Sequence, residues 1–81
     1  MAETFHMVVA SVGETRFDGP ALSATLPGTA GEFTILAHHE PIVSILKPGA
    51  LIIKETLGEP KRFEIEGGVL EMSGNRAVVL L

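Results

Sequence analysis

Cysteine, tryptophan and tyrosine are all absent from this 81-residue sequence, and phenylalanine occurs only four times. The absence of cysteine excludes disulfides, thiolate metal ligands and a cysteine nucleophile. The shortage of aromatic rings argues against the stacking platforms that bind single-stranded nucleic acids. Several classes of enzyme and of binding protein are therefore excluded before any motif is considered.

Basic residues and long apolar runs are also scarce. Six lysines and arginines stand against ten aspartates and glutamates, which gives a net charge of −4. The basic residues are dispersed along the chain and form no stripe that could neutralise phosphates, so we expect no nucleic-acid partner. No apolar run reaches about 18 residues, so we expect no direct membrane span.

The chain is nevertheless rich in apolar residues. Hydrophobic residues make up 46% of it and nine more positions are glycine, which exceeds the roughly 45–50% that both groups together reach in an average domain. The length allows one domain, over residues 1–81. A surface that a partner protein covers is one use for the excess of apolar residues.

Hydrophobic residues alternate with polar ones along most of the chain. Phe63 and Ile65 share one face of the segment KRFEIE, and Phe5, Met7 and Val9 share one face near the start. Such alternation is typical of half-buried strands, whereas no segment of about ten residues or more has a helical period. We predict an all-β domain of roughly nine short strands, folded as a sandwich or flattened barrel.

The segment VLEMSGNRAVVLL predicts a hairpin with particular cross-strand pairs. The Gly-Asn pair at 74–75 suits a two-residue primed turn. This turn places Met72 opposite Ala77, and Leu70 opposite Val79, on one face of the hairpin. We expect that face to contribute to the core.

Two segments, PIVSIL and GALIIK, are apolar on both faces except at Ser44. A strand that is apolar on both faces is either covered on both sides within the fold or lies against another molecule. A small sandwich gives each strand only one inner face. The outward residues of these two strands are therefore candidates for contact with a partner.

Glu32, His38, His39 and Glu40 form the only candidate cluster for chemistry. A zinc site needs both histidine rings to converge, yet consecutive residues in a strand point to opposite faces. The two carboxylates could serve acid–base hydrolysis, but the chain is too short for a deep cleft and lacks aromatic sugar platforms. We predict no catalytic residue, no metal and no cofactor, and keep a small metal-binding or hydrolytic β-sandwich as the alternative. A β-barrel that binds a small ligand is a third hypothesis, which the side-chain-filled interior of so small a barrel disfavours.

Several short motifs follow one another in a specific order and spacing. They are Phe-x-Gly at 17–19, Pro-Gly at 27–28, Gly-Glu at 31–32, His39 with Pro41, Lys-Pro-Gly at 47–49, and Gly-Gly at 67–68 followed by Glu71. Taken together they resemble the N-terminal domain of the ATP synthase epsilon subunit, and the resemblance covers essentially all 81 residues.

This resemblance implies a sandwich of two roughly five-stranded sheets. It also implies a non-catalytic subunit of the central stalk, which turns with the rotor and links the gamma subunit to the ring of c subunits. Ion translocation through the membrane is thereby coupled to ATP synthesis. The protein would then be a peripheral membrane protein on the cytoplasmic face of a bacterial inner membrane.

The resemblance also implies roles for individual residues. Glu32 matches the residue that meets the polar, basic loops of the c ring, where an acidic partner sets register and encounter rate more than affinity. Ser11, His39 and Ser44 match the surface that faces the gamma subunit. The family usually continues into a two-helix domain that can inhibit ATP hydrolysis, whereas this sequence stops at Leu81. We therefore expect no C-terminal helical domain, no helix-based inhibition and no nucleotide site in these residues.

Overall fold

The computed structural model describes residues 3–56 and 58–81. Over these residues the chain is all-β, as the alternation predicts. Its nine strands are β1 (Phe5–Ser11), β2 (Glu14–Ala21), β3 (Ser23–Gly28), β4 (Gly31–Leu36), β5 (Ile42–Leu46), β6 (Gly49–Lys54), β7 (Lys61–Ile65), β8 (Gly68–Ser73) and β9 (Arg76–Leu80). The described residues contain no helix long and apolar enough to cross a membrane.

The strands form two layers that share one narrow junction. Their hydrogen-bonded order is β2-β1-β9-β8-β5-β3-β6-β7, with β4 on the other edge of β3. The junction between β5 and β3 is the single residue pair Gly28–Leu46. On one side of it lie the five strands β2-β1-β9-β8-β5, called sheet 1 below, and on the other side the four strands β4-β3-β6-β7, called sheet 2. The predicted sandwich is confirmed, and sheet 2 has one strand fewer than the resemblance implies.

Alternating side chains of both sheets fill the interior. Phe5, Met7 and Val9 are at most 1% exposed, which confirms the predicted inner face of β1. They belong to one cluster of buried residues to which each of the nine strands contributes. The strands β2, β4, β5 and β7 contribute one residue each, namely Ala21, Ile35, Leu46 and Ile65. At the edge opposite the junction, the rings of Phe17 on β2 and Phe63 on β7 meet edge to face, with centroids 6.5 Å apart.

The β8–β9 hairpin has the predicted register. Both cross-strand pairs are present, and all four of their side chains are at most 1% exposed. Gly74 and Asn75 have φ values of 57° and 58°. Positive φ at both central residues is the geometry of a type I′ turn, whose twist matches that of the two strands.

The two strands predicted to be apolar on both faces differ in the structure. On β5 the outward Val43 and Ile45 are 68% and 64% exposed and are accessible to a partner. On β6 the outward Ile52 is half-buried between Thr25 of β3 and Arg62 of β7, its cross-strand neighbours, and offers less surface for such a contact. Long side chains such as that of arginine cover apolar surface with their methylene groups. Among the described residues, six large apolar side chains are exposed, and four of them lie on the outer face of sheet 1; the other two are Val12 in the β1–β2 turn and Leu36 at the end of β4.

The connections gather at two opposite ends of the sandwich. The turns at 12–13, 29–30, 47–48 and 66–67 lie at one end, called the turn end below. The β4–β5 loop, the β8–β9 turn and the start of β1 lie at the other, called the loop end. Residues near opposite ends of a strand such as β1 are separated by roughly 20 Å.

Candidate functional site

The outer face of sheet 1 carries a contiguous apolar patch. Val43 and Ile45 on β5, Val69 on β8 and Leu80 on β9 are 68%, 64%, 40% and 58% exposed, and Val78 on β9 is half-buried. Cross-strand pairing places Ile45 beside Val69, and Val69 beside Leu80. These five side chains are called the apolar face below. Contiguous exposed apolar patches mark interaction sites, whereas single exposed apolar residues are ordinary.

Sequence analysis found only the β5 part of the apolar face. Val69, Val78 and Leu80 were missed, because the hairpin was considered for the face that enters the core. The signal was available in the segment AVVLL, whose consecutive apolar residues must place side chains on both faces of β9. That segment has the same two-sided pattern that drew attention to β5.

The loop that carries the two consecutive histidines is fixed to its neighbours by hydrogen bonds. The side-chain oxygen of Asn75 accepts a hydrogen bond from the backbone N–H of His38 at 2.7 Å, and its side-chain nitrogen donates to the Thr4 carbonyl at 3.0 Å. His38 has a φ of 62°, and its Nε2 lies 3.1 Å from Glu3 Oε1. Asn75 thus joins the β4–β5 loop, the β8–β9 turn and the start of β1 at the loop end.

The three residues predicted to face the gamma subunit do not cluster. His39 is exposed at the loop end, Ser11 is half-buried at the turn end, and Ser44 is half-buried on the inner side of β5, opposite Leu70. Two strands separate β1 from β5, so Ser11 and Ser44 are about 14 Å apart across the sheet alone. A partner that contacts all three residues has to reach both ends of sheet 1 and the inner side of β5.

Glu32 lies at the turn end, separate from the apolar face. It is exposed on β4, an edge strand of sheet 2, directly after the turn at 29–30, and it pairs across the strands with Pro27. None of the five ion pairs formed by the described residues includes it. Its carboxylate is therefore accessible to a basic partner at this end of the domain.

The alternative based on a metal or hydrolytic cluster gains no support from the geometry. Glu32 lies near the turn end of β4 and His38 beyond the opposite end of this strand, which spans roughly 13 Å between Glu32 and Leu36. His39 Nδ1 lies 2.8 Å from the backbone oxygen of Glu40, whereas His38 contacts Glu3. Over residues 3–56 and 58–81, no three acidic or histidine side chains converge closely enough to hold a metal ion.

The fold and its surfaces define a class of protein. This is a small β-sandwich with an apolar face on one sheet and an accessible carboxylate at one end. Among the residues that the structure describes, every buried side chain of the core is apolar. Such an arrangement is that of an interaction domain, in which surfaces rather than a cleft carry the function.

The family of the chain follows from comparison with known proteins. Residues 4–81 match the family described as the ATP synthase delta/epsilon chain β-sandwich domain, and the chain belongs to this family. The ATP synthase epsilon chain of Polaromonas naphthalenivorans is 38% identical over 77 residues, which are 95% of this chain and 56% of the relative. The chain thus spans a little over half the length of this relative.

Solved structures show the same fold. A chain in the cryo-EM structure of the Euglena gracilis mitochondrial ATP synthase (OSCP/F1/c-ring) matches with a TM-score of 0.88 and 23% identity, over 99% of this chain and 51% of that one. A chain in the central stalk/c-ring structure of the Tetrahymena thermophila mitochondrial ATP synthase matches with a TM-score of 0.79 and 18% identity, over 93% and 60%. At these identities the likeness concerns the fold.

Proposed function

We propose that this domain belongs to a non-catalytic central-stalk subunit of an F-type ATP synthase, where it links the gamma subunit to the ring of c subunits. Its role is to transmit rotation, so that ion translocation drives ATP synthesis at catalytic sites on other subunits. The family match and the epsilon-chain relatives support this proposal. The observation that carries it furthest is the apolar face, a surface suited to permanent cover by another protein.

The apolar face is the proposed contact with the gamma subunit. Interfaces of permanent complexes bury large areas, often above about 2,000 Å² in total, and are more apolar than the rest of the surface. Ser11 and His39 lie at the two ends of sheet 1, beyond the apolar face, whereas Ser44 is half-buried on the opposite side of β5. We assign Ser11 and His39 to the rim of the gamma contact, where polar groups keep some access to water, and Ser44 to a contact that the gamma subunit makes around the edge of β5.

Glu32 is the proposed contact with the c ring. It lies at the turn end, so one partner can cover the outer face of sheet 1 while another meets the end of the sandwich. An exposed carboxylate opposite basic loops raises the encounter rate and disfavours wrong registers, and it adds little to affinity. The two contacts on different sides give the domain the geometry of a link.

The same proposal gives a location. As part of the synthase, the domain lies at the membrane surface without crossing the membrane itself, on the cytoplasmic face of a bacterial inner membrane. The bacterial relative supports this location. The proposal assigns the domain no cofactor and no nucleic-acid partner.

The decisive experiment measures binding of the domain to a purified gamma subunit and, separately, to c rings in detergent. Glu32→Gln should leave gamma binding unchanged and slow association with the ring. Glu59→Gln is the matched control, because Glu59 is exposed in the connection at the loop end and loses the same charge. If the unchanged domain binds neither partner, the proposed function is wrong.

Ser44→Arg is not a suitable test of the gamma contact. An arginine at position 44 would start on the inner side of β5, opposite the fully buried Leu70. Loss of binding by Ser44→Arg could then reflect damage to the core, since an unpaired charge is costly to bury. His39→Ala is a cleaner test of the rim, because His39 is exposed and its hydrogen bond stays within its own loop.

A further inference from the structure

Glu71 interrupts the apolar face on its middle strand. It lies on the outer side of β8, with Val43 of β5 and Val78 of β9 as its direct cross-strand neighbours. Val69 precedes it by two residues on the same side of the strand. Neighbours opposite each other in a sheet have Cβ atoms about 5 Å apart, so apolar side chains adjoin the carboxylate on both flanking strands and along its own.

Within residues 3–56 and 58–81, no basic side chain forms an ion pair with Glu71. The nearest basic candidate by register is Arg76, which pairs with Ser73 and is thus diagonal to Glu71 on the same face. Diagonal positions in a sheet are roughly 7–8 Å apart, and the two side chains do not meet.

Water can hydrate the Glu71 carboxylate only while no partner protein covers the apolar face. Glu71 is exposed, so water surrounds it in the isolated domain at little cost. A protein that covers the apolar face removes this water, and an ionised carboxylate in an apolar environment is strongly unfavourable unless a cation or several donors replace the water. Any partner that covers the face must therefore bring a group that matches Glu71.

An open depression beside Glu71 leaves room for such a group. Its volume is about 230 Å³, and its lining includes Val43, Glu71 and Ser73. The floor and walls are formed where β5 and β8 meet near the loop end. A long side chain with an apolar stem and a charged end fits these surroundings, because its stem packs on valine while its charge reaches the carboxylate.

We propose that a lysine or arginine side chain of the gamma subunit inserts beside Glu71 and pairs with it in the centre of the interface. Arginine suits the site best, since its planar guanidinium can bond both oxygens of one carboxylate. This inference rests on the proposed function, because it specifies the chemistry of the partner at the same surface. It assigns Glu71 the role of fixing the position of the partner on an otherwise featureless apolar face.

The test compares three single variants of the domain in binding kinetics with the gamma subunit. Glu71→Gln removes the central charge, Glu64→Gln removes one charge from the outer face of sheet 2, and Arg76→Gln removes the nearest basic group of this chain. We expect Glu71→Gln to weaken binding about tenfold, mainly through faster dissociation, because a desolvated charge pair acts on the lifetime of a complex. Glu64→Gln and Arg76→Gln should stay within about twofold of the parent.

Each other outcome overturns a specific statement. If the parent and Glu64→Gln bind the gamma subunit and Glu71→Gln binds equally tightly, the inference about Glu71 is wrong and the proposed function stands. If Arg76→Gln weakens binding as much as Glu71→Gln, the cation comes from this chain and not from the partner. An effect confined to the association rate would place Glu71 at the rim. If the parent itself does not bind, the proposed function fails, and this inference fails with it.

Discussion

Replacing both Val43 and Ile45 by threonine tests the contribution of the apolar face to binding without changing a side chain of the core. Threonine keeps the branched Cβ that favours strands, so the change acts mainly on hydrophobic contact. Val43 and Ile45 are 68% and 64% exposed, and only about a third of each side chain is covered on folding. Full burial of such a side chain contributes about 1.5–3 kcal/mol, so loss of the covered third of a whole side chain would cost about 0.5–1 kcal/mol per residue. Threonine keeps part of each side chain, so the double variant should lose about 1 kcal/mol of unfolding free energy in total.

The same exposures predict a larger effect on binding. The exposed two thirds of each side chain become buried when a partner covers the face, which corresponds to about 1–2 kcal/mol per residue at the same rate. The threonine hydroxyls also lose water in the interface. A total loss of about 2–4 kcal/mol for the two residues raises Kd for the gamma subunit roughly 30- to 700-fold.

Titration calorimetry and thermal unfolding of the same samples distinguish these two effects. For a domain of this size, 1 kcal/mol shifts Tm by about 4–8 °C, which bounds the expected fall. Leu70→Ala is the matched control, because Leu70 is 0% exposed. That variant should lose about 2–5 kcal/mol of stability and bind normally wherever it is folded. If the double variant binds as tightly as the parent, or unfolds as early as Leu70→Ala, the apolar face is not an interface.

Two further predictions concern backbone geometry and loop attachment. Gly68→Ala should lower the unfolding free energy of the domain by at least about 2 kcal/mol. The reason is that Gly68 has a φ of 156° and that an added Cβ would lie 2.6 Å from the backbone oxygen of Leu80. A melting temperature within about 2 °C of the parent would contradict this prediction. Asn75→Gly keeps a residue that tolerates positive φ but removes the side chain that accepts from the His38 N–H. The backbone amide hydrogen of His38 should then exchange with solvent faster by about tenfold or more, because the lost hydrogen bond contributes about 1–3 kcal/mol. Asn75→Asp is the control, since it retains an acceptor oxygen. In the same hydrogen-exchange experiment this variant should preserve most of the protection of the His38 amide.

The proposals also assign separate tasks to the two ends and faces of the domain. On strands β5, β8 and β9 the outer face of sheet 1 combines apolar side chains with one carboxylate. The outer face of sheet 2 is mainly polar, with Thr25 and Thr34 hydroxyls 2.9 Å apart and Arg62 bonded to Glu64, and Leu36 is its one large apolar side chain in the described ranges that is more than half exposed. A polar outer face is what solvent requires of a sheet that no partner covers. The contrast between the two sheets therefore points to one covered side, independently of any relative.

Local patterns predicted the strands and the pairing of one hairpin. A side-chain period of two depends only on the geometry of an extended chain, so the inner faces of β1 and β8 could be assigned without a structure. The register of the β8–β9 hairpin could be predicted because a two-residue turn leaves no freedom in the pairing of its strands. The order of motifs likewise identified the family.

Contacts between distant segments could not be predicted in the same way. Whether the outward residues of β5 and β6 are exposed depends on neighbours that come from other parts of the chain, namely Thr25 and Arg62 around Ile52. The sequence also gave no indication that the Asn75 side chain binds the loop at His38. A turn residue is recognised by its local conformation, but the partner of its side chain is set by the packing of three separate segments.

Sequence alone determined that this protein is an all-β domain of the epsilon-chain family and that Glu32 is available on its surface, because alternation, turn chemistry and motif order are local properties. Only the tertiary structure decided which apolar residues join into one face and that Glu71 stands among them. In that face β5 is far from the β8–β9 hairpin in the chain, and the alignment of β5 with β8 is fixed by hydrogen bonding and by burial of the opposite side of the sheet. The surface proposed to carry the function is thus a consequence of how the core is packed.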